Sequence, residues 1–254
     1  MMAGPGAFVW YELMTTDVDA AIAFYGSVVG WNATDSGHPA MRYVIMGLGE
    51  RPLVGTMKLR DEQLAAGARP FWSGYIGVED VDAATSKALS LGASLHVGPT
   101  DIPQVGRFSV VNDPEGALIT LFRGMGEAVE LTKGTGAIGW HELATSDWTK
   151  AFEFYEAMFG WTKGDAIGMG AEGVYQLFAH QGEVIGGMFN RPPQIPVSNW
   201  LFYVNVDEIG GAVERLKAAG GKILNGPMQV PGGSWIVQCL DPQGAAFAMV
   251  SSNA

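Results

Sequence analysis

The stretch "WYELMTTD" at residues 10–17 returns as "WHELATSD" at residues 140–147, and this duplication constrains the fold more than any other feature of the chain. Aligning 8–31 with 138–161 gives ten identities in 24 positions, among them Trp10/Trp140, Glu12/Glu142, Leu13/Leu143, Asp17/Asp147, Tyr25/Tyr155 and Trp31/Trp161. The similarity continues downstream. "GPTDIP" stands beside "GPMQVP", and "NDPEGALITL" beside "LDPQGAAFAM". The chain is therefore two copies of one unit of about half its length.

Each copy is itself double. Residues 7–14 alternate and are rich in aromatics, which predicts a strand. Asp17 is placed to cap a helix whose apolar face carries Val18, Ala21, Ile22, Tyr25 and Val29, and Gly30 supplies a left-handed end. Two strands are expected next, "MRYVIMGL" and "RPLVGTMKL". The pattern then restarts with strand "FWSGYIGVED", a second cap at Asp80, a helix ending near Gly92, and two or three strands with a tight turn at "DPEG". The caps lie 63 residues apart in the first copy (Asp17 to Asp80) and 61 in the second (Asp147 to Glu208), so four modules of similar length make up the chain.

Composition excludes several functions. The 254 residues carry a net charge of −11, a field that repels phosphate backbones and anionic lipid surfaces; no nucleic-acid or membrane partner is expected. The single cysteine, Cys239, rules out an internal disulfide or thiolate cluster and reads as a small apolar strand residue. The N-terminal stretch lacks the pattern of a secretory signal and no apolar run has the length of a bilayer span, so a cytoplasmic location is the expectation.

The module layout, with "AFYGSVVGW", "EFYEAMFGW", "DPEG" and "DPQG" in their places, resembles the vicinal oxygen chelate superfamily of glyoxalases, bleomycin-resistance proteins and extradiol dioxygenases. The doubled "WxEL" resembles a two-domain glyoxalase-like subgroup labelled as candidate hydroxylases. The resemblance implies an α+β fold of four βαβββ modules, forming two tandem glyoxalase-like domains. The domains would span 1–123 and 137–254, with a glycine-rich linker at 124–136. It also implies that paired modules enclose a concave cavity.

The same resemblance implies where metal ligands would lie: seven residues before each capping acid, seven after the Asp of each "DP" turn, and on the strand closing the first module. Here those positions hold Trp10, Trp140, Ser73 and Leu201, then Thr120 and Ala248, then Gly55–Met57 and Gly186–Met188. None is His, Asp, Glu or Cys, so no metal and no cofactor are expected. His38, His96, His141 and His180 share no spacing for one face. His38 and His180 read as exposed or singly bonded, and Tyr11 and His141 as packing residues.

Alternation along the strands puts Trp10 and Glu12, and likewise Trp140 and Glu142, on the face away from the helices. By the same counting Ser73, Tyr75 and Thr120 line the first half and Tyr203 the second, with Met57 and Met188 joining them. An aromatic and thioether lining with one carboxylate per half suits a small apolar or aromatic ligand. The leading expectation is a metal-free protein binding such a compound. The alternative is a metal-independent hydroxylase, isomerase or lyase using Glu12 or Glu142 as general base, and a metal-dependent enzyme with displaced ligands ranks below both. Within the copy, each glutamate could instead be tied to backbone amides or to Thr15 and Thr145. A monomer with pseudo-two-fold halves or a homodimer fits the duplication.

Overall fold

A computed structural model describes residues 4–38, 41–126 and 132–254. Residues 127–131 of the expected linker lie outside the described residues. The first module comprises β1 (Phe8–Thr15), α1 (Val18–Val29), β2 (Asn32–Asp35), β3 (Tyr43–Leu48) and β4 (Arg51–Lys58), followed by a short helix α2 (Asp61–Ala65). The second comprises β5 (Phe71–Gly77), α3 (Val81–Ser90), β6 (Ser94–Ile102), β7 (Gly106–Asn112) and β8 (Leu118–Gly124). The third comprises β9 (Ile138–Thr145), α4 (Trp148–Phe159), β10 (Thr162–Gly168), β11 (Val174–His180) and β12 (Glu183–Asn190). The fourth comprises β13 (Asn199–Asn205), α5 (Ile209–Ala218), β14 (Lys222–Gln229), β15 (Trp235–Leu240) and β16 (Ala246–Ser251). The fold is α+β, and all four modules are βαβββ.

The helix boundaries follow from their caps. The amide of Ala20 donates to Asp17 Oδ1 at 3.0 Å, that of Ala83 to Asp80 Oδ1 at 2.9 Å, and those of Thr149 and Lys150 to Asp147. Glu208 plays the same part for α5. At the other end of α1, Gly30 adopts φ +79°, a left-handed conformation open to glycine without strain. One expectation is corrected: three strands follow α1, not two. The extra one, β2, is exposed along its whole length, so it carries no apolar alternation to betray it.

The chain forms two compact units. One comprises Met1–Val9, Ser73–Leu131 and His141–Trp200, which is the second and third modules (the 2–3 unit). The other comprises Trp10–Trp72, Thr132–Trp140 and Leu201–Ala254, the first and fourth modules (the 1–4 unit). In the 1–4 unit the strands run in the hydrogen-bonded orders β2-β3-β4-β1 and β13-β16-β15-β14, with β1/β4 and β13/β16 parallel. In the 2–3 unit the orders are β5-β8-β7-β6 and β10-β11-β12-β9, with β5/β8 and β9/β12 parallel.

The repeated "FY", "GW" and "DP" letters build the core of each unit. In the 1–4 unit Trp72 Nε1 donates to the Tyr25 hydroxyl (3.2 Å), which donates to Asp241 (3.1 Å). In the 2–3 unit Trp200 Nε1 donates to Tyr155 (3.1 Å), which donates to Asp113 (2.9 Å). Each aspartate also accepts backbone amides of its own turn, so the turn is tied to a helix of another module. A hydrogen bond to a charged group is worth about 1.5–3 kcal/mol, and an unpaired buried partner costs a similar amount. Burial raises both aspartate carboxyls above the usual carboxylate range and both tyrosines well above theirs. The "GW" indoles anchor the segments that enter each copy: Trp161 Nε1 to the Gly6 carbonyl (2.8 Å) and Trp31 Nε1 to the Gly136 carbonyl (2.7 Å).

Candidate functional site

The register of the 1–4 unit places Glu12 opposite Gly55 and Met14 opposite Met57, while Tyr43 is opposite Met57 on the far side of β4. Residues in register point to one face of a sheet, so Glu12, Met14, Met57 and Tyr43 share it, with Trp10 two residues before Glu12. Leu13, fully buried, lies on the helix side. The Tyr43 ring lies across β4 to reach β1. Its hydroxyl donates to Glu12 Oε2 (3.2 Å) and accepts from Trp10 Nε1 (3.1 Å). Gly55 makes this crossing possible, because a Cβ there would fall 1.8 Å from the Tyr43 hydroxyl oxygen. Burial, and then the charge of Glu12, raise the Tyr43 pKa, so the phenol remains a proton donor.

The 2–3 unit repeats the arrangement. Glu142 lies opposite Gly187, and the Tyr175 hydroxyl donates to Glu142 Oε2 at 3.0 Å. A Cβ on Gly187 would stand 2.0 Å from the Tyr175 ring. Glu142 is buried at 8% exposure. The Tyr175 ring stacks on Phe189 at 5.8 Å between centroids. Trp140, two residues before Glu142 in the sequence, ends the segment that belongs to the 1–4 unit.

The remaining predicted residues occupy separate faces of the two units. Ser73, Tyr75 and Thr120 lie on the β5–β8 face of the 2–3 unit. The Ser73 and Thr120 hydroxyls are 3.2 Å apart, and Tyr75 meets Phe122 edge-on at 5.8 Å. Tyr203, almost fully buried, accepts a hydrogen bond from Gln238 Nε2 (2.9 Å) in the 1–4 unit. Two clefts, of about 360 Å³ around Val28, Asp207 and Arg215 and about 440 Å³ around Ile102, Gln104 and Arg107, take in none of the sequence-predicted residues.

Three expectations need correction. Met188 pairs in register with Leu143 and is fully buried on the helix side, so it does not share the Glu142 face. Matching letters sets Met188 beside Met57, but the ladder is offset by one residue, and a one-residue offset exchanges the faces of a strand. Phe189 occupies the place equivalent to Met57. Secondly, the described partners of the glutamates include tyrosines two strands away, across β4 and β12, and Thr15 and Thr145 are not among them. Thr15 accepts from the Asp17 amide, and the buried Thr145 hydroxyl has no hydrogen-bond partner. Thirdly, His180, at the β11–β12 hairpin, is buried at 7% exposure and not exposed, with Nε2 unpartnered.

His141 stacks on Phe8 (4.0 Å between centroids) and its Nδ1 meets the Ile185 carbonyl at 2.7 Å, while Tyr11 packs edge-on against Phe202. Burial depresses the His141 pKa to about 4, and pushes the Cys239 thiol up to about 12, so neither is charged near neutral pH. The sequence reasoning missed Tyr43, Tyr175, Gly55 and Gly187. The signal was available in the repeat, since a tyrosine follows Glu12 by 31 residues and Glu142 by 33.

The sequence profile of the glyoxalase/bleomycin resistance protein/dioxygenase superfamily matches residues 7–121 and again 137–249. The chain belongs to this superfamily. Among the relatives of this superfamily member, the candidate glyoxylase CFP32 of Mycobacterium tuberculosis is 31% identical over 252 residues, covering 95% of this chain and 93% of that protein. The anthracycline biosynthesis protein DnrV of Streptomyces peucetius is 30% identical over 261 residues, covering 97% and 93%. Solved structures with the same superfamily fold include the Mn(II)-bound glyoxalase of Novosphingobium aromaticivorans (TM-score 0.68, 16% identity, 98% of this chain and 83% of that one). Another is a variant of homoprotocatechuate 2,3-dioxygenase from B. fuscum (TM-score 0.70, 15% identity, 100% and 73%).

A superfamily fold of this kind raises the question of a divalent cation, and the donor set here does not fit one. Among the described residues no three of His, Cys, Asp and Glu lie close enough to hold a metal ion. The glutamate faces present indole, phenol, thioether and phenyl groups instead. No described helix is long and apolar enough to cross a membrane.

Proposed function

We propose that this superfamily member binds a small planar aromatic compound on the Glu–Tyr sheet faces, without a metal. One observation carries the reading. A carboxylate hydrogen-bonded to a tyrosine recurs at the same place in both copies, in positions where a Cβ on the intervening strand would collide with the ring. Aromatic and thioether surface recognises flat apolar molecules by area and shape, and the single carboxylate fixes orientation. The name of DnrV, an anthracycline biosynthesis protein, supports a polycyclic aromatic as the ligand class. The protein then serves to sequester or present such a compound.

A second reading is favoured by the 8% exposure of Glu142 and its tyrosine donor: a metal-independent hydroxylase, isomerase or lyase with Glu12 or Glu142 as base. Titration with a panel of tricyclic and tetracyclic aromatics in EDTA-treated buffer separates the readings. Saturable quenching of tryptophan fluorescence with every ligand recovered unchanged supports binding. Chemical conversion that disappears in the Glu12→Gln, Glu142→Gln double variant supports the enzyme. Silence across the panel contradicts both.

A further inference from the structure

The two copies share one hairpin motif, "GPTDIPQVGR" along β6–β7 and "GPMQVPGGSW" along β14–β15, and the first breaks local rules that the second obeys. In each, a proline opens a tight turn, closed by the Val105 amide on the Ile102 carbonyl (3.0 Å) and by the Gly233 amide on the Val230 carbonyl (3.0 Å). The residue after the proline is left-handed in both: Gly232 at φ +97° and Gln104 at φ +64°. Glycine takes that conformation freely, whereas a residue with a Cβ is strained there. The second departure lies on the adjoining strands. Arg107 and Arg123 are register partners across β7 and β8, so two cations stand directly opposite on one face, an arrangement that costs stability. The corresponding pair in the second copy is Trp235 and Ser251.

Both departures line one cleft of about 440 Å³ in the 2–3 unit, walled also by Ile102, Pro103 and Met125. Arg107 is neutralised there. Its Nε and Nη2 donate to Asp82 (2.7 and 3.0 Å) and its Nη1 to Asp101 (2.8 Å), so the acid that lines the cleft is already paired. Arg123 is exposed and has no hydrogen-bond or ion-pair partner among the described residues. Met125 is 74% exposed. We propose that this cleft binds a small aryl carboxylate, with Arg123 pairing the carboxylate, the Gln104 amide donating beside it, and Ile102, Pro103 and Met125 taking the ring. A guanidinium matches a carboxylate with two parallel N–H donors, and a thioether packs well against an aromatic ring. The ligand supplies the counter-ion that the arginine pair lacks and uses the side chain for which the turn is strained. Local rules broken without an internal compensation are expected at functional sites. None of the residues lining the cleft belongs to the glutamate faces, so the site is independent of the binding reading above.

The test compares two probes of one shape, 2-naphthoate and the uncharged 2-naphthamide, with affinities read from the methyl resonance of Met125. The wild-type protein is expected to show a saturable shift of that methyl with 2-naphthoate and to bind 2-naphthamide about fivefold more weakly, the effect of one open ion pair. Arg123→Ser, which installs the side chain of the second copy, is expected to bring the two probes to equal affinity. Gln104→Gly is expected to raise the melting temperature, because the strain is relieved, and to weaken 2-naphthoate about threefold, because a donor is lost. Both positions are exposed, so neither change disturbs the core. A Met125 methyl that stays unmoved overturns the proposal, and a response of Met14 and Met57 alone does so while leaving the binding reading standing. Equal wild-type affinity for the two probes overturns it, as does a preference that survives Arg123→Ser. A Gln104→Gly protein that is no more stable than the wild type, or that binds 2-naphthoate as tightly, removes the argument from strain and overturns it as well.

Discussion

Acidification should destabilise this protein through His141 in particular. The imidazole is 7% exposed, stacked on Phe8, with Nδ1 donating to the Ile185 carbonyl. Burial depresses its pKa from 6.5 to about 4, with the carbonyl bond opposing the shift. The unfolded chain therefore takes up this proton first. The stability contributed by the neutral ring is complete above about pH 6.5, begins to fall below it, and is lost by the time pH drops through about 4. At 1.36 kcal/mol per pH unit the whole displacement amounts to roughly 3 kcal/mol, and about 2 kcal/mol of it is gone by pH 5. Urea unfolding of the wild type and His141→Gln at neutral pH and near pH 5 measures this directly. Glutamine can keep a donor toward Ile185 and cannot titrate. The wild type should lose about 2 kcal/mol more than the variant across that interval. Other titrating groups, including Asp113 and Asp241, are common to both proteins and cancel in the difference. Equal losses in the two proteins would refute the reasoning, because the ring would then be reachable by a proton without unfolding.

Two further substitutions use the repeat as an internal control. His180→Leu should stabilise the protein by about 1 kcal/mol, because Nε2 is buried without a partner. Leucine already fills the corresponding place: Leu48 packs under Gly136 as His180 packs under Gly6. A fall in melting temperature would contradict this. Gly55→Ala should destabilise by about 2–4 kcal/mol, combining the lost phenol–carboxylate bond with displacement of the ring. Tyr43→Ala should largely suppress the effect of Gly55→Ala, giving a coupling of about 1–3 kcal/mol in a double-mutant cycle; additive losses would show that the ring does not occupy the notch.

Much of the architecture was legible because it is local. Asp17, Asp80, Asp147 and Glu208 cap the helices that follow them, and Gly30 and Gly160 end two of them in the left-handed conformation. Strand β2 was invisible because its four residues are all exposed and show no period. The grouping of the modules was equally hidden. Tyr25 finds Asp241 216 residues away, and no propensity or periodicity reports a bond at that separation. The faces of β1 and β9 followed from alternation alone. The partners of their glutamates did not, because a tyrosine two strands away reaches Glu12 only in one register. Met188 failed for the same reason: letters align it with Met57, whereas hydrogen bonding pairs it with Leu143.

On the proposed function, the Glu12 sheet face takes up aromatics without a cation. Methionine methyl resonances report on that face, since Met14 and Met57 lie on it while Met46 and Met188 are fully buried and Met188 points to the helix side. In EDTA-treated buffer, titration with 2,6-dihydroxyanthraquinone should shift the Met14 and Met57 methyls saturably by ring current and leave Met46 and Met188 unmoved. Unmoved Met14 and Met57 methyls, or shifts that arise only once a divalent metal is added, would contradict it.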